Sequence, residues 1–312
     1  MDRGPFGRGR GGPAGFAQDS VNTVNTPRTR AGAMNDTVSE NAAPAAEPKA
    51  GKKKKEEGSF LWFLVKLVLV VLVFRTFVFT SFVIPSESMM PRLLEGDYLF
   101  AAKWPYGYSR ASLPLDINIG SGRLFGHLPK RGDVVIFKHP VDRVDYIKRV
   151  IGLPGDTVQM VAGQIVLNGK PVPKHRIDDF VLPQRPNEGC KAGVQFTVKL
   201  EDGRFGCRYP RYHETLPNGV GYDVLDLGFR PQDVTPPVIV PEGRLFLMGD
   251  NRDNSMDSRF PPVADQGVGL VSVDNLVGRA SFMFFSTDGT ASWIKPWTWF
   301  TAARWNRIGR SI

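Results

Sequence analysis

The stretch GDTVQMVAGQIVLNGKPVP, from Gly155 to Pro173, contains two short runs in which apolar and polar residues alternate. Ala162–Gly163 and Asn168–Gly169 follow these runs, and dipeptides with glycine in second place suit the tight turns of β-hairpins. The segments DVVIF (Asp133–Phe137) and RLFLM (Arg244–Met248) are short, apolar and bounded by turn residues, as buried strands are. The sequence therefore predicts a mainly β domain.

The composition sets wider limits. The chain has 312 residues, of which 42% are hydrophobic and 23% charged, with a formal net charge of +9. These proportions exclude a wholly disordered or fibrous chain. Its two cysteines, Cys190 and Cys207, are too few for a disulfide-rich scaffold and lie outside any CxxC or Cys/His cluster of zinc spacing. We therefore expect no structural metal.

One long apolar segment precedes the β region. From Phe60 to Ile84 the chain reads FLWFLVKLVLVVLVFRTFVFTSFVI, in which 20 of 25 residues are apolar. About 20 helical residues span a bilayer core, and the apolar residues here surround the helix without a polar face. We therefore expect a transmembrane helix from about Ser59 to Phe79, within residues 58–80. A buried soluble helix and a cleavable signal peptide are the weaker alternatives.

The lysine cluster Lys52–Lys55 precedes this helix. By the positive-inside rule it places the N-terminal side in the cytoplasm and everything after Ile84 across the membrane. The far compartment is oxidising, which permits a disulfide between Cys190 and Cys207. Two unpaired thiols remain the alternative.

The two ends of the chain have unusual compositions. Residues 1–57 contain 8 Gly, 5 Pro and only 5 residues of Leu, Ile, Val or Phe, which predicts a disordered cytoplasmic tail. The Arg-Gly opening of this tail could contact RNA or acidic lipid, but a solvated tail is the favoured interpretation. Residues 291–312 form a basic C-terminal segment with a helix predicted over Trp297–Ile308. This segment could lie on a membrane surface or pack on its own domain, and it holds four of the six tryptophans: Trp293, Trp297, Trp299 and Trp305.

Candidate chemistry lies in three polar segments: IPSESMMPRLLEGD (Ile84–Asp97), DYIKRVIGLPGD (Asp145–Asp156) and MGDNRDNSMDSR (Met248–Arg259). The first presents two serines just after the membrane exit, and a serine becomes a strong nucleophile only when a base removes its proton. The four histidines lie outside all three segments. Strand alternation puts Lys148 on the same face as Tyr146, and desolvation there would lower its pKa towards that of a usable base. A lone strand lysine is otherwise an exposed, solubilising residue.

Together these segments resemble the signature boxes of the type I signal peptidases, the membrane-anchored serine proteases that remove signal peptides from exported proteins. The SxSM box matches Ser86–Met89, the YIKR box matches Tyr146–Arg149, and GDNRDNSxDSR matches Gly249–Arg259 without exception. The resemblance covers most of Phe74–Phe285. One departure is Arg92, which stands where the family more often has threonine, beside the nucleophile.

The resemblance implies a mechanism that needs no metal or other cofactor, and a role for each matching residue. Ser88 would be the nucleophile and Lys148 the general base, with Ser255 orienting the lysine. The Ser88 N–H and the Ser86 hydroxyl would form the oxyanion hole. Asp257 and Arg259 would brace the loop that carries Ser255, the alternative being a plain surface ion pair. Shallow pockets for small substrate side chains would be lined by Phe82, Ile84, Met89, Leu93, Ile136, Tyr146 and Ile147.

The implied fold is the family's two-part antiparallel β architecture. It divides the chain into a catalytic core over residues 81–173 and 240–290 and an inserted β cap over residues 174–239, which holds both cysteines. The enzyme would bind preproteins and the lipid bilayer but no nucleic acid, with its oligomeric state open. It would sit in a bacterial inner membrane with the catalytic domain on the periplasmic face.

Two other functions compete with this one. The SxxK match Ser292–Lys295 suggests an acyltransferase of the penicillin-binding type, but no SDN or KTG motif accompanies it. A non-enzymatic, membrane-anchored binding module would account for the basic charge, yet it leaves the three boxes without a purpose.

Overall fold

The computed structural model describes residues 56–114, 120, 122–185, 188–292 and 294–312. Most of the predicted tail (residues 1–55) and Trp293 lie outside the described residues. Antiparallel strands make up most of the regular structure, which confirms the mainly β fold class. The strands are β1 (Phe79–Val83), β2 (Asp97–Ala102), β3 (Val134–Lys138), β4 (Asp145–Gly152), β5 (Thr157–Val161), β6 (Gln164–Leu167), β7 (Lys170–Pro171), β8 (Lys174–Pro183), β9 (Thr197–Lys199), β10 (Phe205–Thr215), β11 (Gly221–Leu225), β12 (Val238–Ile239), β13 (Arg244–Met248), β14 (Val271–Ser272) and β15 (Leu276–Ser286).

The apolar segment forms one long helix, α1 (Glu56–Phe77). The part of this helix from Ser59 to Phe77 is long enough and apolar enough to cross a membrane, and none of it is buried against the rest of the protein. The predicted end at Phe79 is wrong by two residues. Phe79 instead begins β1 and pairs with Ala102 of β2, while its ring packs edge-on against Trp104. Strand pairing therefore ends the helix before the apolar run is over.

Seven strands form the large sheet, in the order β1-β2-β15-β3-β4-β13-β14. All neighbours are antiparallel. The predicted strands DVVIF and RLFLM correspond to β3 and β13, and their apolar side chains are buried because both strands lie inside the sheet. The large sheet carries β4, the strand of Lys148, in its interior.

The segment Gly155–Pro173 folds as two successive hairpins, β5-β6-β7. Strand β12 pairs with β5 and completes a four-stranded sheet. Both predicted turns are confirmed. Ala162 and Gly163, and likewise Asn168 and Gly169, all have positive φ, as two-residue hairpin turns of the I′ kind require.

A third sheet has the order β11-β10-β8, and β9 also pairs with β10. We call it the cap sheet. Along the chain β8 follows β7 directly, and β12, the next strand after β11, pairs with β5. A disulfide joins Cys207 of β10 to Cys190, with an S–S distance of 2.06 Å.

The C-terminal segment forms a short helix, α2 (Thr298–Ala302), and then a 3-10 turn over Trp305–Arg307. The single helix predicted over Trp297–Ile308 is therefore wrong. Ala303 and Arg304 leave the helix because Ala303 pairs with Thr287 in an isolated bridge and the Arg304 N–H donates to the Ser286 carbonyl. Tertiary hydrogen bonds thus override local helix propensity.

Candidate active site

Ser88 lies on the loop between β1 and β2, residues 84–96, which we call the serine loop. Backbone hydrogen bonds close this loop at its base, from the Ile84 N–H to Asp97 and from the Gly96 N–H to Ile84. Met89 and Leu93 on one side of it are fully buried. These anchors fix the backbone on both sides of Ser88, whose side chain is itself largely buried.

Lys148 lies in β4, between β3 and β13, and is 60 residues from Ser88 in sequence. Its Nζ donates to Ser88 Oγ at 2.8 Å and to the Ile147 carbonyl at 3.0 Å. Only 3% of Lys148 and 7% of Ser88 is exposed. The structure thus brings together the two residues that the sequence predicted as nucleophile and base.

Burial controls the protonation of Lys148. Desolvation lowers its pKa to about 8, although the carboxylates of Asp257 and Asp250 favour the ammonium and offset part of this effect. The lysine therefore loses its proton much nearer neutral pH than an exposed lysine does. A neutral amine beside a hydroxyl is an arrangement that can remove the proton of that hydroxyl.

Ser86 lies beside the nucleophile at the exposed edge of the serine loop. The distance between its Oγ and Ser88 Oγ is 3.3 Å. The Ser86 hydroxyl is therefore close enough to reach an oxygen atom that forms next to Ser88. Its predicted part in the oxyanion hole is compatible with this position.

Ser255 lies on the loop Gly249–Arg259, which we call the GDN loop. Its Oγ is buried and makes no hydrogen bond of ordinary geometry within the described ranges, although it lies near enough to the Asp257 carboxylate to help lower the pKa of that group. The two hydrogen bonds of Lys148 Nζ go to Ser88 and Ile147 instead. The hydrogen bond by which Ser255 would orient the lysine is thus not formed in this structure, and that role stays a prediction.

Asp257 and Arg259 form a fully buried pair rather than a surface one. Arg259 donates twice to the carboxylate, from Nε at 2.8 Å and from Nη2 at 2.9 Å. The Gly249 N–H also donates to Asp257, at 3.1 Å. Burial raises the pKa of Asp257, but the charge and hydrogen bonds of Arg259 outweigh it and leave that pKa below its usual range.

Two further buried ion pairs brace the GDN loop, and the sequence patterns missed both. Arg149 binds Asp250 through two hydrogen bonds of 2.7 and 2.6 Å. Arg252 binds Glu214 of β10 in the same two-pronged way, at 2.7 and 2.6 Å. Their partners lie 101 and 38 residues away, so no local pattern could have paired them.

The seven predicted pocket residues fall into two packing clusters. Ile84, Met89, Leu93, Ile136 and Ile147 share one buried cluster, and Phe82 packs against it half-buried. Tyr146 packs instead with a different cluster that includes Phe137 and Val150. Successive residues of a strand point to opposite faces, which separates Ile147 from Tyr146 in packing, and the pocket lining stays a prediction.

The other side of the serine loop faces the cap sheet. Met90 and Leu94 pack in one cluster with the disulfide of Cys190 and Cys207 and with Tyr209. A groove lies along this contact, and Glu87 is part of its lining. The disulfide thus stiffens the part of the cap that touches the serine loop.

Arg92 and the C-terminal segment also contact the serine loop. Arg92 Nη2 donates to the Ser311 carbonyl at 2.8 Å. Arg307 donates to the Arg92 carbonyl at 2.8 Å and, at 2.6 Å, to Asp97, a carboxylate with no exposed surface. Arg92 therefore joins the loop to the C-terminal segment, and no hydrogen bond links its side chain to Ser88.

The chain matches a family model described as "Signal peptidase, peptidase S26" over residues 58–285. It is 34% identical to signal peptidase I of Rickettsia prowazekii (strain Madrid E) over 282 residues, which cover 83% of this chain and 94% of that protein. It is 35% identical to signal peptidase I of Rickettsia bellii (strain OSU 85-389) over 271 residues, covering 80% and 83% of the two chains.

Among solved structures, a signal peptidase I from Enterococcus faecalis V583 is 24% identical, with a TM-score of 0.26. It covers 50% of this chain and 98% of its own. No group of three or more His, Cys, Asp or Glu side chains in the described ranges is arranged to hold a metal ion.

Proposed function

Because the chain belongs to the signal peptidase family of peptidase S26, and so is a peptidase that cleaves signal peptides from preproteins, we propose that Ser88 and Lys148 are its catalytic dyad. The observation that carries this proposal is the 2.8 Å contact between Lys148 Nζ and Ser88 Oγ. Both side chains are buried, so their mutual position is set by packing rather than by chance contact at a surface.

In this mechanism neutral Lys148 takes the proton of Ser88 Oγ as the oxygen attacks the scissile carbonyl carbon. The C–N bond of the collapsing tetrahedral intermediate breaks, and the Lys148 ammonium donates its proton to the leaving amine. An acyl-enzyme on Ser88 remains. Water then attacks the ester carbonyl carbon and gives a proton to Lys148, the C–O bond to Ser88 Oγ breaks, and the Lys148 ammonium returns the proton to Ser88 Oγ, which releases the signal peptide as its carboxylate and restores the free serine.

We also propose that the Ser88 N–H and the Ser86 hydroxyl stabilise the negative oxygen of the tetrahedral intermediate. Within the described part of the chain the Ser88 N–H has no acceptor, and Ser86 Oγ is 3.3 Å from the attacking oxygen. Loss of one such donor typically slows a reaction by roughly 10²- to 10³-fold.

Substrate specificity belongs, in this proposal, to the cluster around Ile84 and Ile147, with half-buried Phe82 at its edge. Met89 and Leu93 are fully buried and would shape the pocket from behind. A shallow, well-packed wall accepts small side chains and excludes large ones by overlap. Extended substrate backbone would add itself beside the site as a strand.

For the placement of the chain, we propose that α1 spans the bilayer of a bacterial inner membrane with its N-terminal side in the cytoplasm. Exposed apolar residues around the whole helix support the span, and Lys52–Lys55 support the orientation. The catalytic core of residues 81–173 and 240–290 and the cap of residues 174–239 would then lie on the periplasmic face.

The dyad is tested by single and double substitution. Ser88→Ala and Lys148→Ala should each lower cleavage of a purified preprotein by at least about 10³-fold, and the double variant should be no slower, because members of a dyad act as a unit. An unfolding temperature equal to that of wild type shows that each variant is still folded. Near wild-type turnover in either single variant contradicts the dyad.

A further inference from the structure

Two carbonyl groups of the serine loop are held by one buried residue of the GDN loop, Asn251, which is 2% exposed. Its backbone N–H donates to the Ser88 carbonyl at 3.0 Å. Its side-chain Nδ2 donates to the Glu87 carbonyl at 3.2 Å. The Met90 N–H donates to the same Glu87 oxygen at 3.0 Å, so that carbonyl accepts two hydrogen bonds.

The Glu87 carbonyl and the Ser88 N–H are the two polar ends of one peptide group. That group is planar and trans, so its C=O and N–H point in opposite directions and cannot turn independently. A donor that fixes the carbonyl therefore also fixes the direction of the N–H. Hydrogen bonds to the carbonyl further polarise the amide and strengthen its N–H as a donor.

Asn251 is itself held from both sides. Asp250 is paired with Arg149, and Arg252 with Glu214, through buried two-pronged ion pairs. The Asp250 carbonyl also accepts the Leu225 N–H of β11 at 2.9 Å. Two anchored neighbours leave the Asn251 backbone little freedom, which makes it a rigid support for the serine loop.

We propose that Asn251 is a positioning residue that aims and polarises the Ser88 N–H of the oxyanion hole. This inference rests on the proposed function, because it requires that N–H to face the negative oxygen of the tetrahedral intermediate. Asn251 does not touch the reacting atoms. It acts on them through the peptide group between Glu87 and Ser88.

The chain offers a clean variant and a matched control. Asn251 Oδ1 is buried without a hydrogen-bond partner among the described residues, so Asn251→Leu, of similar volume, removes the Nδ2 donor and keeps the backbone N–H. Asn254→Leu is the control. Asn254 Nδ2 also donates to Glu87, at 3.2 Å, but to its side-chain carboxylate rather than to the peptide group.

For Asn251→Leu we expect kcat on a purified preprotein to fall by roughly 10- to 100-fold, since a misdirected donor is lost in the transition state. KM should stay within about 2-fold of wild type, because ground-state binding does not use this N–H. Affinity for a peptide aldehyde, whose adduct with Ser88 is tetrahedral, should fall by the same factor as kcat/KM. Asn254→Leu should change none of these quantities by more than about 2-fold.

Wild-type kcat in Asn251→Leu would overturn the inference. So would a fall in kcat with unchanged aldehyde affinity, or a shift in the pH midpoint of the rate, since either would assign Asn251 to another step or to Lys148. If the leucine variant unfolds below the assay temperature, Asn251→Ala replaces it under the same criteria. Failure of the proposed function differs from all of these, because Ser88→Ala would then remain active.

Discussion

At the residue scale, Gly249 shows how closely the GDN loop approaches the nucleophile. A methyl group at this position would lie 2.2 Å from Ser255 Oγ and 2.6 Å from the Ser88 carbonyl oxygen. Both distances are far inside van der Waals contact. The absence of a side chain at Gly249 is therefore what lets Asn251 come within hydrogen-bond distance of the serine loop.

Gly249→Ala should displace Ser88 or Ser255 and lower kcat/KM by roughly 100-fold or more, because small misplacements of reacting groups are costly. Preprotein cleavage is the measurement. Gly189→Ala is the matched control, since a methyl group there meets no atom within 4 Å. Equal activity of the two alanine variants would show that the loops separate without harm to the site.

The sequence predicted the dyad but not what supports it. Ser88 and Lys148 each lie in a short sequence motif that can be recognised without knowing the fold. Glu214, the partner of Arg252, lies outside those motifs, and its role follows only when β10 is brought beside the GDN loop. Asn251 was part of a matched box, yet its bond to the Glu87 carbonyl depends on a loop 164 residues away.

At the scale of elements, six elements each contribute an apolar side chain to the cluster beside Ser88: the end of β1, the serine loop, β2, β3, β4 and β15. A wall built from six elements resists displacement at any one point. The wall should therefore exclude a bulky substrate side chain by steric overlap. Such overlap can cost more binding free energy than the roughly 1 to 3 kcal/mol that a pocket loses when the substrate lacks one methylene group.

We predict that an Ala to Leu change immediately before the scissile bond of a preprotein lowers kcat/KM by roughly 100-fold or more. The same change two residues before the bond should be tolerated, because alternate side chains of an extended substrate point away from the enzyme. Kinetics with the purified enzyme and both substrates make the comparison. Equal cleavage of the two variants would show that this cluster does not set specificity.

The disulfide belongs to the cap sheet and closes a loop with a sequence separation of 17 residues. We expect Cys190 and Cys207 to be oxidised to one another in protein taken from the membrane. Loop entropy gives such a bridge about 3 kcal/mol of stability, so a reductant should lower the unfolding temperature. Alkylation of both thiols under non-reducing, denaturing conditions would refute the bridge.

At the scale of the whole molecule, the path from α1 to the active site is short. Ser88 lies only 11 positions after Phe77, the last residue of the helix. Even fully extended, such a segment spans less than about 40 Å. If α1 crosses the bilayer, the nucleophile is therefore held close to the membrane surface, where a preprotein with an apolar signal segment would present its cleavage site.

The hairpins were predictable from the sequence because local turn chemistry decides them, as at Asn168–Gly169. The end of α1 and the break at Arg304 were not, because distant partners decide both. Phe79 leaves the helix to pair with β2, and Arg304 leaves it to donate to Ser286. Local sequence patterns thus predicted which segments form strands, turns and helices, whereas tertiary contacts determine the residues at which the helices end.

The central claim is that Lys148 acts as a neutral base towards Ser88, and the pH dependence of kcat/KM tests it most directly. Burial lowers the pKa of Lys148 to about 8. Below that pKa the lysine is an ammonium and cannot take a proton, so kcat/KM should fall about tenfold for each pH unit in acid and level off above roughly pH 9. With wild-type enzyme and a purified preprotein, we predict this rise with a midpoint near 8. A rate already level at pH 6 would contradict the account, because a lysine base would then be almost wholly protonated.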